Sequence, residues 1–206
     1  MGGADGITVH LRGDRRHIKE RDLELLRQII KTELTLEMAA TQSMANIAAR
    51  VKPHCITLVP ESPGEVTTQG GLNLLGVKED LKLYISNLKE NGIMLGIFVD
   101  PDVEQVKEAA RIGAQYVEIN TTEYSKLDLK NVKNGIIQIA RVAKAARRES
   151  IAVHAGHGLG YRNIQALLSV TEISVFSIGF AIVARAVFVG FRQATNEMVR
   201  VIKGVK

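Results

Sequence analysis

Gly113-Ala114-Gln115-Tyr116-Val117-Glu118-Ile119-Asn120, then a helical segment over Asn131–Arg148, then Ile151-Ala152-Val153-His154-Ala155: these residues decide the fold. The two outer runs are short and almost continuously apolar, the pattern of strands buried on both faces. Between them apolar residues recur at the 3.6-residue period of an amphipathic helix. The glycine at 113 ends a preceding helix and feeds the next strand. This is a strand–helix–strand unit, and it recurs along the chain.

Seven such runs read as strands: Gly6–Leu11, Leu34–Met38, Cys55–Val59, Ile93–Val99, Tyr116–Asn120, Ile151–Ala155 and Val175–Ile178. Helix-period segments follow them, among them Asp22–Lys31, Lys78–Asn91, Asp102–Ile112, Asn131–Arg148 and a closing Ile182–Ile202. No strand ends in GxGxxG and no GxxxxGK[ST] occurs, so the dinucleotide and P-loop versions of a parallel sheet lose support. The reading is an α/β chain of the (β/α)8 TIM-barrel type, one domain over residues 1–206, with seven of the eight units present. Gly3-Ala4-Asp5-Gly6-Ile7-Thr8-Val9 has the shape of 113–119 but no helix before it, so the chain is expected to open mid-repeat, without the first strand and helix. Seven parallel strands cannot close with the geometry of eight, and two unpaired edges are expected.

Composition narrows the function. The net charge of +5 suits anionic partners. Four Tyr, five Phe and no Trp, without any nucleic-acid motif, argue against nucleic acid and leave small phosphorylated substrates. No apolar run approaches the roughly 20 residues of a membrane span, and the first residues lack a signal peptide's basic start and apolar stretch. Cys55 alone permits no internal disulfide, which fits the cytoplasm.

In such barrels the chemistry sits on the loops after the strands, and polar residues collect there. The first strand runs into His10, Arg12, Asp14, Arg15, Arg16 and His17; Glu37 lies near the end of the second; Pro60-Glu61 opens a long loop holding Thr67 and Thr68. Asp100, Asn120 and Gly179 end other strands, and Gly156-His157-Gly158 follows the sixth. Glu37 on an apolar strand points to a catalytic or binding carboxylate, because burying one unpaired is costly. The glycines beside His157 let backbone N–H groups approach an anion, and the imidazole exchanges protons near neutrality. Arg15 and Arg16 read as solvated or paired with acidic neighbours, and His54, ahead of its strand, as structural. His154-x-x-His157 has a metal-like spacing without companion ligands, so no metal is expected.

Ala4–Arg12, Asp14–Ile18, Leu36-Glu37-Met38-Ala39, Lys52-Pro53-His54, Leu58–Glu61, Glu65–Thr68 with Gly70-Gly71-Leu72, Ala155–Leu159 and Ile178-Gly179 with Ala184-Arg185-Ala186 together resemble the pyridoxine 5′-phosphate synthase family, in order and along essentially the whole chain. The resemblance implies a cytoplasmic, oligomeric barrel that needs no metal or organic cofactor. It would join 3-amino-2-oxopropyl phosphate to 1-deoxy-D-xylulose 5-phosphate, releasing phosphate and water. It implies His10 and Glu37 as proton acceptors and His157 as proton donor. Arg12, His17, Thr67 and the Gly158 backbone would hold the deoxyxylulose phosphate, and Gly179 and Phe180 the aminoketone phosphate. Phe180, Asn120, Thr122, Gln69 and Gly13 depart from the family pattern, and at Phe180 only the backbone serves. The alternative is a truncated or degenerate barrel, a structural or phosphate-ligand-binding protein.

Overall fold

A computed structural model describes residues 2–204 apart from 63, 66, 67, 69, 76–78 and 91, without the side chains of 79, 80, 82, 83 and 87. Seven parallel strands, β1 (Gly6–His10), β2 (Glu33–Met38), β3 (Cys55–Leu58), β4 (Met94–Val99), β5 (Tyr116–Asn120), β6 (Ala152–Gly156) and β7 (Ile173–Ser177), pair in chain order. Helices cover the connections: α1 (Glu20–Ile29), α2 (Gln42–Val51), α3 (Glu79–Glu90), α4 (Val103–Arg111), the short α5 (Thr122–Ser125), α6 (Val132–Arg148), the short α7 (Ile164–Leu167), α8 (Phe180–Val189) and α9 (Phe191–Lys203). The strand expectations agree to within one or two residues at each end. The closing helix does not. Ile182–Ile202 is two helices, broken at Gly190, whose φ of 81° lies in the left-handed region that interrupts a helix.

The apolar runs are strands because their side chains fill both faces of the sheet. Leu34, Leu36, Met38, Ile56, Leu58, Leu95, Ile97 and Val117 are fully buried, packed between the sheet interior and helix residues such as Leu23, Val106 and Ala143. Among the described residues no ladder joins β1 to β7. Both are edges, with Ile7 and Val175 partly exposed. Helix α9 reaches both sides of that opening. Tyr161, after β6, donates a hydrogen bond to its Ala194 carbonyl (2.8 Å), and a Cβ built on Gly2, ahead of β1, would lie 2.4 Å from its Thr195 Cβ.

Inside the sheet, Tyr116 is wedged across neighbouring strands. Its hydroxyl lies 2.7 Å from Thr57 Oγ1 and donates to the Ile56 carbonyl at 2.9 Å, and its ring stacks on His154 at 4.2 Å. Burial pushes the His154 pKa down to about 4. An unfolded histidine titrates near 6.5, so between those values the unfolded chain binds the extra proton and acid favours unfolding. Stability is expected to fall, by up to about 3 kcal/mol from this group, as pH drops from 6.5 to 4. Denaturant titrations across that window should show a shallower slope in His154→Gln; an identical slope would assign the acid sensitivity elsewhere.

Candidate active site

At the carboxyl ends of the strands the sheet brings together side chains from β1, β2, β5 and the loop after β6. His10 and Glu37 are register partners on adjacent strands, with Nδ1 3.8 Å from Oε2. The other nitrogen, Nε2, lies 3.1 Å from Glu61 Oε1 on the loop after β3, and Glu61 Oε2 accepts from the Gly13 N–H (2.9 Å). Burial lowers the His10 pKa, with Glu61 pulling it back up, so the ring is held neutral and able to accept a proton.

The arrangement adds a residue that reading the sequence missed. Glu118 on β5 is 1% exposed, and its Oε1 has no hydrogen-bond partner. Burial raises its pKa, the Glu37 charge raises it further, and a hydrogen bond with Ser177 opposes both. Burial likewise raises the Glu37 pKa. Two carboxylates in one buried place cannot both ionise readily, so the pair retains a proton to a higher pH than either group would alone. The signal for Glu118 was present: like Glu37, it interrupts an otherwise apolar strand.

His157 completes the group. Single ligand-type atoms of Glu37, Glu118 and His157 all lie within 4.8 Å of one another. Its backbone φ of 73° is uncommon for a residue with a side chain and is held by its surroundings. The Thr121 hydroxyl bonds both the Gly156 carbonyl (2.7 Å) and the His157 carbonyl (2.6 Å). Asn163 ties the next turn, donating to the Gly158 carbonyl (2.9 Å) and accepting from the Gly160 N–H (2.7 Å). The His157 ring lies 4.4 Å from Phe98, and burial, then the nearby His10, lowers its pKa. His154 faces Tyr116 instead, so the two histidines of the His-x-x-His spacing do not share this cluster.

Arg12 is 4% exposed and pairs through a guanidinium nitrogen with Glu65 (3.0 Å); its Nε lies 3.7 Å from Asp14 Oδ2, an ion pair too long for a hydrogen bond. His17 is exposed on the loop after β1, and Thr67 lies outside the described residues. Gly158 sits where a Cβ would meet Ser125 Oγ at 2.2 Å. Gly179 caps α8 without side-chain help, leaving first-turn N–H groups available, and a Cβ on nearby Gly160 would approach Ala181 Cβ at 3.3 Å. The Phe180 ring is exposed. Arg15 pairs with Glu20 (2.8 Å) and Arg16 with Asp14 (2.5 Å), and His54 Nδ1 accepts from the Leu34 N–H (3.0 Å), the structural roles expected of them. Cys55 is buried and its thiol pushed up to about 12, unsuited to nucleophilic work.

The fold is shared with remote solved structures: one described as native KDPGal (TM-score 0.68, 14% identity, 99% of this chain and 84% of that one) and phosphoribosyl anthranilate isomerase from Thermus thermophilus (TM-score 0.63, 10% identity, 99% and 90%). Sequence relatives are much nearer. The chain is 47% identical over 205 residues to the pyridoxine 5′-phosphate synthase of Syntrophotalea carbinolica, covering 99% of this chain and 86% of the relative. With the synthase of Geobacter sp. strain M21 it shares 46% over 202 residues, covering 98% and 84%. The family model for the pyridoxal phosphate biosynthesis protein PdxJ matches residues 1–204, and the chain belongs to that family.

Proposed function

We propose that this chain is a pyridoxine 5′-phosphate synthase, a transferase that joins 3-amino-2-oxopropyl phosphate to 1-deoxy-D-xylulose 5-phosphate and closes the pyridine ring. The observation that carries the proposal is a carboxyl pair, half-buried Glu37 and fully buried Glu118, flanked by two histidines with lowered pKa values, in a chain of this family. Imine formation, dehydration and ring closure each move protons between carbon, nitrogen and oxygen. That work suits groups poised near neutrality. In this reading His10 and Glu37 accept protons and His157 donates one. Glu118 shares its proton with Glu37, so the pair returns between steps to a state that can both give and take. Mixing the two substrates with the purified chain should yield pyridoxine 5′-phosphate, by mass spectrometry, with one phosphate released per product. Substrate binding without product would favour the binding-protein alternative.

Phosphate recognition falls to Arg12, His17, Thr67 and the Gly158 backbone for the deoxyxylulose phosphate, and to the Gly179 and Phe180 backbone for the aminoketone phosphate. Arg12 is already engaged by Glu65, so an incoming phosphate exchanges with that carboxylate. Arg12→Lys keeps the charge but loses the planar fork, and is expected to weaken deoxyxylulose phosphate binding by about 1–3 kcal/mol in calorimetry. Unchanged affinity would leave Arg12 as a structural partner of Glu65.

The chain is further read as one domain, a homo-oligomer and cytoplasmic. The buried, unpaired Cys55 suits a reducing compartment. Phe180, Val183, Val187, Phe188 and Phe191 form an exposed apolar surface on α8 and the start of α9 that a second copy would cover, and light scattering would read the resulting mass.

A further inference from the structure

We infer that Glu37, Glu118 and His157 form a binding site for one divalent transition-metal ion of the zinc type, and that the ion inhibits the enzyme by occupying its proton-transfer centre. Two independent observations support a site. The three side chains, from β2, β5 and the loop after β6, each present a ligand-type atom within 4.8 Å of the others. Glu118, 1% exposed, also has a carboxylate oxygen with no hydrogen-bond partner, which is costly for a buried polar group and is relieved by coordination.

The donor set selects the class of ion. Two carboxylate oxygens and an imidazole nitrogen suit zinc, cobalt or manganese; magnesium and calcium favour sites built wholly of oxygen. Bonds of about 2.0–2.2 Å place tetrahedral ligands roughly 3.4 Å apart. The three atoms therefore need to draw in by about an ångström, within reach of side-chain rotation about fixed strands. Three protein ligands leave a coordination position for water. Two mutually repelling carboxyls, one fully and one half buried, favour the cation, whose charge stabilises both in ionised form, so binding displaces the proton the pair holds. An enzyme that moves protons through these groups then stops. The binding half of the inference stands apart from the synthase reading, and the inhibition half rests on it.

The test titrates zinc into the chelator-stripped 206-residue chain against a chromophoric chelator, with cobalt as a spectroscopic probe of coordination. One equivalent should bind, with cobalt showing the visible bands of an oxygen- and nitrogen-ligated ion, while magnesium at the same concentration does not compete. Glu118→Gln is nearly isosteric and leaves surface histidines untouched. It should weaken zinc binding at least about 10-fold, and Glu37→Gln should do the same, with circular dichroism confirming that both variants fold. Absence of zinc binding, or equal binding by wild type and both variants, overturns the site. Activity is read separately. Reversible inhibition by zinc, relieved by chelator, supports the second half, and full activity of the zinc-loaded enzyme overturns it while leaving the binding result intact. A chain with no synthase activity would count against the proposed function without touching the titration.

Discussion

Glu118→Gln is expected to lower synthase turnover by about 10²–10⁴-fold, the usual worth of a positioned acid/base group, while leaving the chain folded. Glutamine fills the same space but carries no proton to exchange, so the pair with Glu37 loses its ability to cycle. The stability effect has the opposite sign. In the folded chain burial and the Glu37 charge raise the Glu118 pKa. Above the unfolded value, near 4.3, the unfolded chain therefore releases a proton that the folded chain keeps, and rising pH favours unfolding. Removing the carboxyl removes that liability, so the variant should melt at or above the wild-type temperature at pH 8. Glu37→Gln, His10→Ala and His157→Ala should each cost roughly 10²-fold or more in turnover as well. A Glu118→Gln enzyme with wild-type turnover would take Glu118 out of the chemistry. A variant that melts well below wild type would make its role structural.

Gly96→Ala is expected to destabilise the fold by roughly 3–5 kcal/mol, combining overpacking with displaced buried hydrogen bonds. A Cβ at Gly96 would fall 2.1 Å from Tyr116 Cε2, inside the volume of the ring. Tyr116 has little room to yield, since Thr57, the Ile56 carbonyl and His154 fix it on three sides. At about 2–4 °C per kcal/mol for a domain of this size the melting temperature should drop by roughly 10 °C. The double variant Gly96→Ala, Tyr116→Phe removes only the hydroxyl and should recover little, whereas Gly96→Ala, Tyr116→Leu frees the space and should recover part of the loss. A single variant as stable as wild type would show that the ring relocates at small cost.

The strands were legible because nearly every residue of runs such as Ile97-Phe98-Val99 is buried, so composition alone marks them. The break at Gly190 was not, because the apolar period carries through α8 into α9 and one glycine inside a helical pattern is often tolerated. His10, Glu37 and His157 stood out by lying at strand ends. Glu118 carried the weaker signal of a carboxylate inside an apolar strand, and sits mid-strand in the very segment that fixes the fold; β2 and β5 are not paired, so its approach to Glu37 and His157 comes from the three-dimensional fold and from no local pattern. Pairings between loops, such as Arg12 with Glu65, join residues far apart in sequence, and no local pattern announces them. The contact of Gly96 with Tyr116 is hidden for the same reason, since a strand glycine alone does not say which ring leans over it.

The strict chain order of the sheet has a kinetic consequence. Each ladder joins strands consecutive in the chain, so the sheet can grow one strand and one crossover at a time, each step closing only a modest loop. The contacts of α9 with Gly2 and the ion pair of Lys203 with Asp5 (3.9 Å) instead span nearly the whole chain. Their loop-closure entropy is largest before the strands assemble and smallest after, which makes them late events on the folding path. Substitutions at that seam, Thr195 among them, should then speed unfolding while leaving the folding rate nearly untouched.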